Sequence, residues 1–227
     1  MMRLIKTPKH NETISSTRSM YPTSITCMKV GGFHAPSTST IYGVCTEATD
    51  NVRIKPDDKI FPEMSIKFGS VFTMSGGFEA ICKTNFTLFI IERYGYRGLF
   101  GLSQVEDRGR LAYIDGCSDT SIFPPARCGD PCLNTLHFPK GIDQTQHLHP
   151  DIRVGIVLNG EGIAYRNNEW EEPLVKGSMF IVGESEIHSF RTKNTGMTVI
   201  AYHPTTDTGP TDANHAMINR TYIDHGK

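Results

Sequence analysis

The sequence lacks an excess of charge of either sign. Its 227 residues include 23 Lys and Arg against 24 Asp and Glu, and no basic block stands out. Proteins that bind nucleic acids concentrate Lys and Arg where they meet the phosphates. A nucleic-acid partner is therefore not expected.

Long apolar runs are also missing. None approaches the ~18 residues of a membrane-spanning helix, so a membrane partner is not expected. The opening segment, "MMRLIKTPKHNETISST", has no apolar core of the kind found in signal peptides. We therefore expect a cytoplasmic protein whose six cysteines are reduced rather than paired in disulfides.

A third absence is any long apolar stripe at the 3.6-residue helical period. From Ile66 onward, short apolar or alternating runs recur instead, separated by Gly, Asn, Asp or Pro. Examples are "FTLFIIER" (86–93), "RVGIVLN" (153–159) and "GIAYR" (162–166), and "NGEG" (159–162) is predicted to be a hairpin turn between the last two. Many short strands with turn signals predict an all-β sandwich or barrel.

The chemistry-bearing residues that do stand out are histidines. His147 and His149 lie one residue apart in "QTQHLHPDI". In a strand, residues two apart share a face, so both imidazoles can bind one metal ion at about 2.0–2.1 Å. Such an ion needs a third ligand, and His188 in "GESEIHSF" is the best candidate. Gln144 and Asp151 are weaker candidates for a further ligand.

The histidines also stand at defined distances from glycines. The first stretch reads Gly141, five residues, His147-x-His149, three residues, Arg153, six residues and Gly160. The second reads Gly177, five residues, Gly183-x-Ser185, two residues, His188, three residues and Thr192.

This pattern resembles the two motifs of the cupin superfamily over roughly residues 135–205, about a third of the 227 residues. The resemblance implies an all-β cupin barrel, the double-stranded β-helix or jelly roll. It implies a metal site formed by His147, His149 and His188. It also suggests a homodimer, because cupins commonly pair.

The resemblance divides the chain into three expected regions. Residues 1–60, rich in Ser, Thr and Pro, are expected to be an irregular N-terminal arm. Residues 61–130 are expected to be an N-terminal β-rich extension or a degenerate cupin half. Residues 131–227 are expected to be the metal-binding cupin domain.

One departure from the family pattern concerns the metal site itself. The metal-binding Glu of the family is replaced here by Arg153, and Gly183, Ser185 and Thr192 replace a Pro, a Gly and an Asn. A guanidinium cannot ligate a cation, but its planar fork suits a carboxylate or phosphate. A salt bridge to Glu186 or Asp151 is the alternative role for Arg153.

Two function classes follow from the resemblance. The first is a small-molecule enzyme, dioxygenase-like or a lyase or isomerase, with a divalent metal ion and a small anionic organic substrate near Arg153. Fe(II) is favoured, because some cupin dioxygenases bind it with three histidines, and Mn, Ni or Zn are the alternatives. The second class is a non-catalytic ligand-binding cupin or a metal-free structural barrel.

Other pocket residues are predicted from their place on the same strands. Gln144, Tyr165 and Tyr202 are expected to contact substrate, with His203 beside them. His137 alternates with apolar neighbours, which indicates packing rather than ligation. In "YIDGCSD", Asp115 and Asp119 are predicted to lie in a solvated turn.

Overall fold

The computed structural model describes residues 3–5, 13–16, 20–214, 217, 221, 222 and 224. The predicted regions 1–60 and 131–227 each contain some residues outside these ranges, and those residues are not described. About half of the chain is in strands, and the only helical element in the described residues is a 3-10 turn at Ile114–Gly116. The strands are β1 (Arg3–Ile5), β2 (Thr13–Ser16), β3 (Thr23–Met28), β4 (Gly32–Phe33), β5 (Thr40–Ala48), β6 (Val52–Pro56), β7 (Met64–Ile66), β8 (Ser70–Ser75), β9 (Phe78–Ile81), β10 (Phe86–Arg93), β11 (Gly101–Gln104), β12 (Leu111–Ala112), β13 (Ser118–Phe123), β14 (Cys132–Phe138), β15 (Arg153–Arg166), β16 (Trp170–Val175), β17 (Met179–Val182), β18 (Ser189–Arg191) and β19 (Met197–His203).

The strands form three sheets. A six-stranded sheet has the order β11-β8-β5-β10-β3-β2, and a four-stranded sheet has the order β4-β9-β6-β7. The nine-stranded sheet runs β1-β17-β15-β19-β14-β13-β12, with β16 and β18 paired to β15. The all-β cupin architecture predicted from the sequence is confirmed, with this last sheet curled into a half-barrel.

The six-stranded sheet is the central layer of the molecule. On one face its side chains pack with those of the four-stranded sheet, as Leu88 and Ile90 do against Ile54. On the other face they pack against the nine-stranded sheet, as Phe89 and Ile91 do. A strand buried on both faces has no polar side to alternate with, which explains the nearly continuous apolar run "FTLFIIER" in β10.

The irregular character predicted for residues 1–60 is wrong for residues 20–60, which contribute β3 to β6 and lie in the six- and four-stranded sheets. Some of the short Thr side chains buried there are satisfied by neighbouring backbone groups. Thr40 Oγ1 donates to the Tyr96 carbonyl at 2.7 Å and accepts from the Gly98 amide at 2.7 Å. Composition suggested a loop, but these hydrogen bonds remove the cost of burying the hydroxyls.

The boundaries of the sheets also differ from those predicted at residues 60 and 130. Strands from residue 13 to residue 104 form the six- and four-stranded sheets, whereas β12 and β13, before residue 130, belong to the nine-stranded sheet. From residue 13 onward, the chain therefore passes to the nine-stranded sheet between β11 and β12, and β1 also belongs to that sheet.

The hairpin predicted at "NGEG" is absent, because β15 runs unbroken through residues 159–162. Before this point β15 pairs with β17 and β19, and after it with β16 and β18. A register shift falls between Val157 and Asn159, and Gly160 has a φ of 73°. A Cβ on Gly160 would lie 1.9 Å from the Gly196 carbonyl oxygen, so only glycine allows this strand to bend so closely against β19.

Two further sequence expectations concern cysteines and membranes. All six cysteines are free thiols, four of them buried. No helix in the described residues is long and apolar enough to cross a membrane.

The core between the six- and nine-stranded sheets should dominate the stability of the chain. Ile200 on β19 is 0% exposed in this core, whereas Ile60 is 76% exposed. We expect Ile200→Ala to lower the free energy of unfolding by about 2–5 kcal/mol, because it removes buried methyl groups and leaves a cavity.

The matched control is Ile60→Ala, for which we expect a change within about 0.5 kcal/mol. Urea unfolding followed by circular dichroism measures both values. Equal losses in the two variants would show that this core does not hold the two halves together.

Candidate metal centre

The three predicted histidines meet inside the curled nine-stranded sheet. His147 and His149 lie in an extended segment that precedes β15, and His188 lies just before β18. His147 and His188 are directly paired: the His147 amide donates to the His188 carbonyl at 3.0 Å and the His188 amide returns to the His147 carbonyl at 2.9 Å. The Ser185 amide donates to the His149 carbonyl at 2.8 Å, which ties the second histidine to the same loop.

The side chains of the three histidines converge. Their ring centroids are 4.5 Å apart for His147 and His188 and 5.2 Å apart for each pair that includes His149. One nitrogen of each ring lies within 4.8 Å of one nitrogen of each of the others. Two nitrogens bound to one ion at 2.0–2.1 Å are at most about 4.2 Å apart, so small ring rotations suffice for coordination.

Backbone carbonyls orient two of the rings. His147 Nδ1 lies 2.9 Å from the Thr145 carbonyl oxygen, and His188 Nδ1 lies 2.8 Å from the Glu186 carbonyl oxygen. A carbonyl accepts only, so each Nδ1 carries the hydrogen and each Nε2 keeps its lone pair. This is the usual second contact of a metal-binding histidine, and it supports ligation through Nε2.

Burial keeps the imidazoles of His149 and His188 neutral. Desolvation lowers the pKa of His149 to about 3, with the positive charge of Arg153 as the next cause. It likewise lowers the pKa of His188 to about 4, although the hydrogen bond to the Glu186 carbonyl opposes the shift. A neutral imidazole is the form that binds a metal ion, so the residues present fit a divalent cation.

The cluster opens into a cavity of about 70 Å³. Its apolar wall includes Val154, Val182 and Val199, together with Phe180 and Phe190. Polar side chains line the rest of the cavity, and an apolar wall with converging polar groups is typical of a small-molecule site.

Gly155 shapes this wall, because a Cβ there would lie 2.0 Å from the Phe180 ring. The glycine thus lets Phe180 lie flat across β15.

Arg153 also lines the cavity. Its Nη1 donates to the carbonyls of Asp151 at 3.2 Å and Ile152 at 2.9 Å. Its Nε is buried and has no hydrogen-bond partner within the described part of the chain. One edge of the guanidinium is therefore held by the backbone, while a buried donor remains for a bound molecule.

Of the other predicted pocket residues, some line the cavity and some do not. Gln144 and His203 line the cavity. Desolvation lowers the pKa of His203 to about 3. Asp151 is not part of the histidine cluster.

Tyr165 and Tyr202 do not reach the cavity, contrary to expectation. Residues 199, 201 and 203 of β19 face it, so Tyr202 points to the opposite face and packs against Tyr42 in the core between the sheets. The hydroxyl of Tyr165 is held by the carboxylate of Asp143 and lies 3.3 Å from the Gln144 carbonyl.

Two polar residues of the cavity were missed from the sequence. Asp119, predicted to lie in a solvated turn with Asp115, is on β13, and Asn134 is on the neighbouring β14. Asn134 Nδ2 donates to Asp119 Oδ2 at 3.0 Å. The available signal was the alternation of "LNTLHF", which places Asn134 on the same strand face as Leu136 and Phe138.

His137 faces away from the cavity, as expected for a residue that packs. It is buried on β14, and its Nδ1 lies 3.5 Å from the Thr198 hydroxyl.

No protein-family model matches this sequence, and no curated protein matches it. Solved structures do match in fold. A cupin 2 conserved barrel domain protein from Leptotrichia buccalis superimposes with a TM-score of 0.62 at 15% identity, over 88% of this chain and 95% of that one. Protein Ylba from E. coli gives a TM-score of 0.65 at 12% identity, over 89% and 91%.

A third similar structure is salicylate 1,2-dioxygenase from Pseudoaminobacter salicylatoxidans in adducts with gentisate. Its TM-score is 0.62 at 12% identity, over 89% of this chain and 80% of that one. At such identities the likeness concerns the fold alone. The chain has the cupin fold, and its three-histidine cluster supports a metal-binding cupin with a divalent ion.

The cluster predicts how metal content depends on His188. We expect His188→Ala to reduce the metal content of the purified chain from about one ion to near none, because two imidazoles bind a divalent ion much more weakly than three. Inductively coupled plasma mass spectrometry measures the metal.

His137→Ala is the matched control, since it removes a buried histidine of the same sheet from outside the cavity. Circular dichroism shows whether each variant is folded. Full metal occupancy in folded His188→Ala would contradict the site.

Proposed function

We propose that this chain is a metal-dependent enzyme that acts on a small anionic organic molecule. A single observation carries the proposal: three converging imidazoles and the unpartnered Nε of Arg153 line one small, largely apolar cavity. His147, His149 and His188 would hold the ion. Arg153 would hold the negatively charged group of the substrate.

Fe(II) is the favoured ion, with Mn, Ni or Zn as alternatives. Three nitrogen ligands leave coordination positions for substrate and a second reactant, as a catalytic metal requires. When bound, the ion supplies a Lewis acid for substrate oxygens or a centre for O₂ chemistry. Oxygenase chemistry is the version we favour, and lyase or isomerase chemistry would use the same residues.

The charges in the cavity support an anionic substrate. A divalent ion near Arg153 places two positive centres in one desolvated space, and their repulsion weakens metal binding unless an anion lies between them. A carboxylate at the guanidinium offsets that repulsion. It also satisfies the buried Nε through a charge-assisted hydrogen bond.

The first experiment separates the functional classes. The chain is reconstituted with Fe(II), Mn(II), Ni(II) or Zn(II), and oxygen consumption is followed with aromatic and small aliphatic carboxylic acids. Turnover with one metal supports the enzyme. Tight binding of metal and acid without turnover of any kind supports the non-catalytic alternative, and absence of metal binding supports a structural barrel.

Three further sequence expectations stay proposals. The first is that residues 61–130 form an N-terminal β-rich extension or a degenerate cupin half. The homodimer and the cytoplasmic location also stay predictions. Light scattering and cell fractionation test them.

Arg153 gives the sharpest prediction for ligand binding. We expect Arg153→Gln to weaken the binding of a small carboxylate by about 10- to 100-fold, because a hydrogen bond to a charged group is lost. The affinity of Arg153→Lys should lie between those of the unaltered chain and Arg153→Gln, because Lys keeps the charge without the planar fork.

Isothermal titration calorimetry of the metal-loaded chain measures these affinities. Arg191→Gln is the control, because Arg191 pairs with Glu171 and lies over the Tyr165 ring rather than in the cavity. Equal affinity of all the variants would contradict the role of Arg153.

A further inference from the structure

The cavity contains a second polar pair, Asp119 and Asn134, that the proposed metal chemistry does not use. The two residues lie on adjacent strands and are joined by the Asn134 Nδ2 to Asp119 Oδ2 hydrogen bond of 3.0 Å. Asp119 Oδ1 and Asn134 Oδ1 are both buried, and neither has a hydrogen-bond partner within the described residues. Two adjacent acceptors therefore lack donors.

The orientation of the Asn134 side-chain amide follows from its hydrogen bond to Asp119. A rotated amide would place its oxygen against the Asp119 carboxylate, where two acceptors would repel each other. The orientation with Nδ2 toward Asp119 is the favourable one, so the unpartnered atom of Asn134 is its oxygen.

Burial of the Asp119 carboxylate is costly while its Oδ1 has no hydrogen-bond donor. Desolvation raises its pKa, whereas the Thr120 amide and Asn134 lower it. No salt bridge of 4.0 Å or less joins Asp119 to a cation among the described residues, so its charge is not neutralised within the protein. A bound group with N–H donors would offset this cost.

We propose that Asp119 and Asn134 bind the ammonium group of a small amino-carboxylate whose carboxylate lies at Arg153. This inference rests on the proposed function, because it assumes that Arg153 binds the anionic end. One cavity would then present a cationic donor for one end of the ligand and two acceptors for the other. A cavity of about 70 Å³ suits a small ligand of this kind.

Three closely related probes test the inference. Alanine, lactate and propionate share a carboxylate and differ in an ammonium, a hydroxyl or neither at the adjacent carbon. Calorimetry on the metal-loaded chain should show the tightest binding for alanine. Asp119→Asn should weaken alanine about tenfold or more and change propionate less than about twofold.

The control variants separate this effect from others. Asp115→Asn changes the other acid of the same stretch, whose carboxylate accepts from the Thr145 amide at 2.7 Å, and should leave all three affinities unchanged. Asn134→Leu should act in the same direction as Asp119→Asn. The melting temperature shows that each variant is folded.

The outcomes are distinguishable. A preference for alanine that survives in Asp119→Asn would come from amine coordination to the metal and would overturn the inference. So would equal weakening of all three probes, tighter binding of lactate than alanine, or no binding of any probe. Propionate binding that is weakened by Arg153→Gln would uphold the proposed function even if the inference about Asp119 and Asn134 fails. If the chain bound neither propionate nor metal, the proposed function would be overturned as well.

Discussion

The reciprocal backbone hydrogen bonds between His147 and His188 are the constraint on which the site depends. They join a segment before β15 to one before β18, 41 positions apart in sequence, at distances of 3.0 and 2.9 Å. Paired residues on adjacent strands present their side chains to the same face. The backbone therefore brings two imidazoles together before any metal is bound, and the Ser185 amide adds His149 by the same means.

The bend of β15 at Gly160 makes room for this arrangement. The first part of the strand forms the core with the six-stranded sheet, where Val154 and Ile156 are buried, and the second part turns to pair with β16 and β18. One strand thus contributes to the core that joins the two halves and to the wall that encloses the cavity.

The ionisable groups of the cavity differ in charge before any ligand is bound. Burial keeps His149, His188 and His203 neutral, whereas a guanidinium remains charged at any ordinary pH. The donors of Arg153 and the acceptors of Asp119 and Asn134 are buried without complete satisfaction inside the protein. Such groups are rare in folded interiors, and here they lie in one cavity with a metal-ligating cluster, where a ligand can complete them.

The sequence by itself determined the all-β class and the three histidines, because the period of two along a strand and the spacing of His147, His149 and His188 are local properties. The tertiary structure alone decided which residues share the cavity with them. It turned "NGEG" into a bend, placed residues 20–60 in sheets, brought Asp119 and Asn134 inward and turned Tyr202 outward. These outcomes depend on the register between strands distant in sequence, since shifting the pairing by one residue moves every side chain to the opposite face.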